Sequence, residues 1–361
     1  MSRRVLFLVS GLGLGNSTRC FAIIERLALE GAEVAVATSD NGLWFFSDKP
    51  QVRHVSAIPS LHYGKQAGRI SVARTLAGLS DHYRCLVEAE RAIAAIIDRL
   101  RPQVVVTDSV YAVRAVRRAG LPLVAVNNAD MVMTGLRRFR DWPLSVLPQG
   151  LLVEGGDAAF HRLVPDLVIS PRLVPTVPQQ VGHLCPVAPI VRRACHPGAD
   201  LAGPARRVAI MLSGSVFGTP VHLSRRHPGL DIDILGRPAP AGKAAVDGVT
   251  YHGKQRDSLA LLRQADLLVI NGGYSAVAEA LALAKPVVVV PVPRHAEQWV
   301  NGRIIEDLGV GLMASEDGLE DAMDAALRDL DRWRQAFARL PPAADGAAAA
   351  ARLILAAGSH R

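Results

Sequence analysis

A chain of 361 residues is long enough to form two domains of ordinary size, each with its own core. Half of its residues are hydrophobic and a fifth are charged, which excludes a disordered or fibrous chain and fits a globular α/β protein. Lys and Arg outnumber Asp and Glu by 41 to 33, and the resulting +8 favours anionic partners such as nucleotide sugars, nucleic acid or acidic lipid. With no RNA-binding signature, aromatic-basic repeat or zinc-finger spacing, nucleic acid is not expected.

The start, MSRRVLFLVSGLGLG, pairs a basic end with an apolar run in the manner of a signal peptide. No small-residue cleavage site follows, so residues 5–9 are read as a first buried strand running into a glycine turn. A helix over about 17–30 and a strand over 34–38 complete a βαβ opening. A long helical region, about 72–100, leads to strands at 104–107, 123–126 and 167–169, and the whole predicts a parallel, doubly wound sheet. Prolines recur between 171 and 204, where regular structure is not expected. Strands then resume at 208–212, 231–235, 249–252, 267–270 and 287–290, so the fold motif occurs twice. A helix from 318 to about 340 stops at Pro341-Pro342, and an alanine-rich helix over about 345–357 closes the chain, placed to fold back across the linker. The expected organisation is an N-terminal domain at 1–170, a linker at 171–205, a C-terminal domain at 206–340 and a last helix at 341–361.

Cys20, Cys85, Cys185 and Cys195 are too scattered for a disulfide framework, and a reducing cytoplasm fits them. Cys185 and Cys195 with His183 and His196 lack a C-x-x-C pair, so no metal is expected. No apolar run approaches the ~20 residues that span a bilayer.

Ligands of open α/β sheets bind beyond the carboxyl ends of the strands, which selects residues 10–19, Asp108, 213–219 and 271–275. SGLGLGNSTR reads G-x-G-x-G, not the dinucleotide G-x-G-x-x-G, and this argues against NAD although Asp40 stands where a ribose acid would. Its glycines precede a helix start and offer N–H groups to an anion, or else form only a tight turn. Ser213, Gly214 and Ser215 in SGSVFGT have the composition of a diphosphate cradle. His295, Glu297, Gln298 and Asn301 are either sugar-bonding groups or an ordinary capped helix start.

Glu279 carries the most information. It lies in a helix that is apolar around nearly its whole circumference, and a buried carboxylate needs donors around it. A capping box is out of register, because Ala278 and not Glu279 stands three residues after Ser275. The remaining alternatives are an ion pair with Lys285 or Arg303, or two sugar hydroxyls.

Residues 267–311 run glycine pair, hydroxyl, glutamate, apolar run, K-P, apolar strand, E-Q, N, L-G-V-G. This order resembles the carboxy-terminal domain of GT-B glycosyltransferases, nearest the group of the lipid-II-forming N-acetylglucosaminyltransferase, monogalactosyldiacylglycerol synthases and UDP-glucuronosyltransferases. SGLGLGNSTR and VVVTDS extend the resemblance to both halves. It implies two Rossmann-like doubly wound α/β domains, acceptor-binding then donor-binding, with the active site in the cleft between them. It also implies inverting, metal-independent transfer of a hexose from a UDP-type nucleotide sugar to an acceptor hydroxyl, with no cofactor beyond that co-substrate. By resemblance Glu279 binds the donor ribose, and Gly272, Gly273 and Ser275 meet the diphosphate, with Tyr274 counted among the donor-binding residues. Glu297 and Gln298 hold the donor sugar, with His295 a donor-binding candidate from the same loop, and the Tyr251-His252-Gly253 segment lies by the base. Gly13, Gly15 and Arg19 fall on the acceptor side. Asn16 stands where relatives carry a histidine, which leaves Asp108 as first candidate base and His62, His82 and Asp130 in reserve. The alternatives are a nucleotide-sugar hydrolase or epimerase, since G-N-S-T-R-C resembles the G-H-x-x-R-C of UDP-sugar hydrolases, and a non-catalytic nucleotide-sugar binding protein. The acceptor is a small molecule or a lipid. Trp44-Phe45-Phe46 and residues 136–152 mix basic and large apolar groups, and are either core and loop pieces or a peripheral contact with the inner membrane face.

Overall fold

The computed structural model describes residues 2–60, 65–66, 69–70, 79–173, 179–197, 203–212, 220–221, 223–225, 227–242, 246–342 and 344–359. It separates into two compact units. One comprises Met1–Asp130, Asp157–Arg193 and Ala344–Arg361, the other Met131–Gly156 and Ala194–Ala343.

The first unit is built on a sheet of seven parallel strands: β1 (Arg4–Val9), β2 (Glu33–Thr38), β3 (Val52–Ala57), β6 (Val104–Asp108), β7 (Leu123–Val126), β8 (Leu167–Pro171) and β9 (Leu184–Val187). Two-residue strands β4 (Lys65–Gln66) and β5 (Arg69–Ile70) form a separate antiparallel pair. Central strands covered on both faces must be apolar throughout, and Val5, Leu6, Phe7, Leu8 and Val9 are all buried. One face packs on helices Leu14–Leu29 and Gly346–Ala357 through Ile23, Ile24, Leu27, Ala350 and Ile354. The other packs on helix Leu79–Leu100 through Ile93, Ile96 and Ile97. The strand order β3-β2-β1-β6-β7-β8-β9 reverses direction between β1 and β6.

The second unit repeats the plan with six parallel strands: β10 (Arg207–Met211), β11 (Asp231–Leu235), β12 (Val249–Gly253), β13 (Leu267–Ile270), β14 (Val287–Val289) and β15 (Gly311–Met313). Their order, β12-β11-β10-β13-β14-β15, reverses between β10 and β13. Met323, Leu330 and Trp333 complete a core with Ile210, Ile234 and Val269. The two reversals are the topological switch points at which doubly wound sheets bind ligands, and the segments selected from the sequence start at those four strand ends.

The sequence reading and the fold differ in several places. Strands β3, β9 and β15 were not anticipated. β9 lies inside the proline-rich stretch, and it tolerates Pro186 because it is an edge strand with one unpaired side. The helix expected over 318–340 is two helices, Leu319–Arg328 and Leu330–Arg339, that share Asp329 as cap. Two segments also lie across the expected boundaries. Residues 131–156 belong to the second unit, where Gly135 permits close packing on Val300 and Phe139 meets Trp299 edge-on at 6.3 Å. The last helix belongs to the first: Asp345 accepts from Ala348 N–H at 2.8 Å and pairs with Arg26, while Gly346 lies against the Ala188 carbonyl where a side chain has no room.

Candidate functional site

In the second unit, β13 is wholly buried and its end turns at Asn271, Gly272 and Gly273 into helix Tyr274–Ala282. Gly272 has φ +84°, and a Cβ there would stand 2.7 Å from Val289 Cγ1 and 3.0 Å from the Gln298 carbonyl, so only glycine fits without strain. Two amides fix the turn: Asn271 Nδ2 donates to the Val290 carbonyl and Asn301 Nδ2 to the Gly272 carbonyl, both at 2.9 Å. Gly273 differs. Its φ is −61°, a Cβ there would meet nothing within 4 Å, and as helix cap it contributes no side chain to the first-turn N–H groups. Open space before an uncapped helix start suits a close anionic ligand. Tyr274 is buried, Ser275 half-buried, and Glu279 lies in the same helix at 4% exposure between Ala278 and Ala280, both at 0%.

The loop after β14 leads into helix Ala296–Asp307. Gln298 Oε1 accepts from Val292 N–H at 2.8 Å, and the His295 N–H donates to the Val292 carbonyl at 3.1 Å, which folds the loop back on itself. Burial pushes the His295 imidazole below its ordinary pKa, with nearby Glu297 opposing, and its enclosed Nδ1 has no hydrogen-bond partner among the described residues. Glu297 is half-buried. At β12 a register shift brings His252 Nε2 to 2.6 Å from Asp233 Oδ1, and Tyr251 donates its hydroxyl to the Val221 carbonyl at 3.0 Å. Ser213, Gly214 and Ser215 lie outside the described residues.

The sequence reading missed Arg237 and Gln149. Arg237, 1% exposed just past β11, donates through Nε to the Leu212 carbonyl at 3.3 Å and lies 3.3 Å from Glu316. It thereby holds the end of β10 from which residues 213–219 depart. Its one signal was an arginine following Gly236 at a strand end. Gln149, which accepts from Ala296 N–H, gave no local signal at all.

In the first unit, the chain after β1 enters helix Leu14–Leu29 at Gly13, where a Cβ would again meet nothing. Gly15 is exposed and Asn16 half-buried. Arg19 and Asp108 come together at the switch point, as a closed pair that the sequence reading did not anticipate. Arg19 Nε and Nη2 donate to the two Asp108 oxygens at 3.0 and 2.7 Å, and Nη1 donates to Asn128 Oδ1 at 3.0 Å. Cys20 Sγ lies 3.3 Å from Asp108 Oδ2, and its thiol is pushed well up by burial and by that carboxylate. Asp108 is 0% exposed. A carboxylate held on both oxygens by a buried guanidinium and shut off from solvent is a structural anchor, and the role of base expected for Asp108 does not fit it. Of the reserves, Asp130 bonds Ser170 and Arg172, His82 is half-buried in the first turn of helix Leu79–Leu100, and His62 lies outside the described residues. Ser17, one turn from Gly13, is fully buried with no partner for its hydroxyl among the described residues. No helix among the described residues is long and apolar enough to cross a membrane.

Residues 3–139 match the model described as Glycosyl transferase family 1, and residues 244–354 the Glycosyltransferase family 28 C-terminal domain. A protein of Methanosarcina acetivorans named an uncharacterized glycosyltransferase is 22% identical, with 97% of this chain and 95% of that protein covered. The UDP-N-acetylglucosamine--N-acetylmuramyl-(pentapeptide) pyrophosphoryl-undecaprenol N-acetylglucosamine transferase of Rhizobium leguminosarum bv. trifolii is 23% identical, over 91% of this chain and 86% of that one. Among solved structures, the glycosyltransferase SsfS6 of Streptomyces sp. SF2575, complexed with thymidine diphosphate, superposes with a TM-score of 0.58 at 18% identity. It covers 98% of this chain and 99% of the other.

Proposed function

Because the chain belongs to the glycosyltransferases of GT-B fold, we propose that it moves a hexose from a nucleoside-diphosphate sugar, with UDP the expected carrier, to an acceptor hydroxyl. Transfer inverts the anomeric centre and needs no metal. The observation that carries this reading is Glu279, buried in an apolar helix one turn past an open, uncapped glycine start at a switch point. A carboxylate there accepts two ribose hydroxyls, and the helix N–H groups after Gly273 meet the diphosphate.

In the reaction the acceptor oxygen attacks the anomeric carbon as the bond from that carbon to the phosphate oxygen breaks, and the acceptor's hydroxyl proton is given up to water. The electron pair goes to the diphosphate, and its growing charge is stabilised by aligned backbone dipoles at Gly273, Tyr274 and Ser275. Gln298 shapes the loop whose Glu297 and His295 contact the sugar. Asp108 serves at one remove, fixing Arg19, which in turn donates to Asn128. The acceptor has an apolar portion or is presented by an acidic membrane surface: Leu144, Leu151 and Leu152 are 78%, 64% and 70% exposed, in the same stretch of sequence as exposed Arg137 and Arg140. Co-sedimentation with phosphatidylglycerol vesicles but not phosphatidylcholine vesicles supports the surface, and no sedimentation with either removes it.

The deciding experiment is calorimetric titration of UDP, TDP and GDP into the wild type and Glu279→Ala. Selective binding of one nucleotide, lost in the variant, supports the donor reading. Binding indifferent to Glu279 overturns it.

A further inference from the structure

Helix Ala296–Asp307 presents the loop assigned to the donor sugar, yet its own cap, His295, makes no side-chain hydrogen bond to the first turn. The missing acceptor comes from a distant part of the sequence. Gln149 Oε1 takes the Ala296 N–H at 2.8 Å, and Gln149 Nε2 donates to Glu154 Oε1 at 2.8 Å, with Glu154 itself buried. Each end of the amide thus has a partner, and its orientation is fixed by the acid behind it.

This contact ends a longer seam. Arg138 pairs with Asp307 at the far end of the helix, Arg303 lies 3.2 Å from Asp141, and Phe139 stacks edge-on to Trp299. Gly135 lies against Val300, and a Cβ on Gly150 would be 3.4 Å from the Ala296 Cβ. Residues 131–156 therefore follow the helix along its length, and Gln149 is the polar group at the end that carries His295, Glu297 and Gln298.

We propose that Gln149 is a positioning residue for the donor sugar, holding the first turn of helix Ala296–Asp307, and with it the His295 and Glu297 side chains, in register for the sugar hydroxyls. The inference rests on the donor reading above and makes a separable statement. Gln149 acts on the sugar portion of the donor and leaves the nucleoside diphosphate portion, held at Gly273 and Glu279, untouched.

The test is calorimetry of two matched pairs, UDP with UDP-N-acetylglucosamine and TDP with TDP-glucose, on wild type, Gln149→Ala and the exchanged pair Gln149→Glu with Glu154→Gln. Loss of a helix-capping acceptor corresponds to about a tenfold change, so Gln149→Ala is expected to bind the nucleotide sugar about tenfold more weakly and the bare diphosphate within about twofold of wild type. The exchanged pair keeps an acceptor for Ala296 and a donor behind it, and restores sugar affinity. Equal weakening of both ligands, unchanged sugar affinity, or failure of the exchange to restore it overturns the role. A wild type that binds neither diphosphate overturns the donor reading first, and the two failures are thereby distinguished.

Discussion

Gly272 and Gly273 are adjacent and chemically identical, yet alanine at each is expected to fail in a different way. At Gly272 an L residue at φ +84° costs about 1–2 kcal/mol in backbone strain. The methyl then meets Val289 Cγ1 at 2.7 Å and the Gln298 carbonyl at 3.0 Å, and such overpacking adds about 1–3 kcal/mol. The expected loss is about 2–5 kcal/mol, and with a urea slope of about 2 kcal/mol per molar it lowers the unfolding midpoint by about 1–2.5 M. At Gly273 the backbone is ordinary and the methyl meets nothing, so stability stays within about 0.5 kcal/mol of wild type. The methyl occupies the space through which a diphosphate would reach the helix N–H groups, and nucleoside diphosphate affinity falls about tenfold or more, about 1.4 kcal/mol. Urea unfolding followed by tryptophan fluorescence reads the first effect, because Trp142, Trp299 and Trp333 all lie in the second unit. Calorimetry reads the second. Unaltered nucleotide binding by Gly273→Ala would refute close backbone approach at this turn, and an unaltered midpoint for Gly272→Ala would refute the geometry of the turn itself.

Removing one member of the buried Arg19–Asp108 pair leaves an uncompensated charge, so Asp108→Ala should destabilise the first unit by about 3–5 kcal/mol in a thermal melt. A variant that keeps its melting temperature and loses only turnover would return Asp108 to the role of base. His295 is held below its ordinary value near 6.5, chiefly by burial, so the folded state disfavours its protonation. That contribution is present above about pH 6.5 and is lost as pH falls through the folded value, so His295→Gln should flatten this part of the stability profile in urea titrations from pH 7 to 4. Burial alone would raise Glu320, but hydrogen bonds from the Ser224 hydroxyl and the Ser224 and Arg225 N–H groups pull it below 4.5. Its contribution is present above that value and disappears as pH falls through the folded one. Glu320→Gln should cost about 1 kcal/mol at pH 7 and leave acid unfolding below pH 4 less steep, and identical acid limbs would contradict this.

What was legible in the sequence is what repeats locally. Continuous apolar runs such as 5–9 and 267–270 declare strands covered on both faces, and the turn at Gly272 is marked by residue type alone. Glu279 was legible because it contradicts its own helix. Short edge strands such as β9 and β15 lack that signal, being three or four residues long and flanked by ordinary loop composition. The closed state of Asp108 was invisible for another reason. Arg19 is 89 residues away in sequence, and no spacing rule distinguishes a carboxylate facing a ligand from one facing a guanidinium. Gln149 and Arg237 belong to the same class: each acts on a backbone group that only the folded chain brings near.

The interleaving of the two units also bears on how the chain is made. It passes from one unit to the other at 130/131, 156/157, 193/194 and 343/344, so neither is a contiguous stretch that a ribosome could release and leave to fold. The first sheet is complete once β9 has emerged, yet the helix that covers Ile23, Ile24 and Leu27 is synthesised far later, from Gly346 on. At about 5–20 residues per second the nascent sheet waits many seconds with that apolar strip uncovered, a window in which a chaperone has something to hold. Truncation before Gly346 would therefore damage the half of the protein that was translated first.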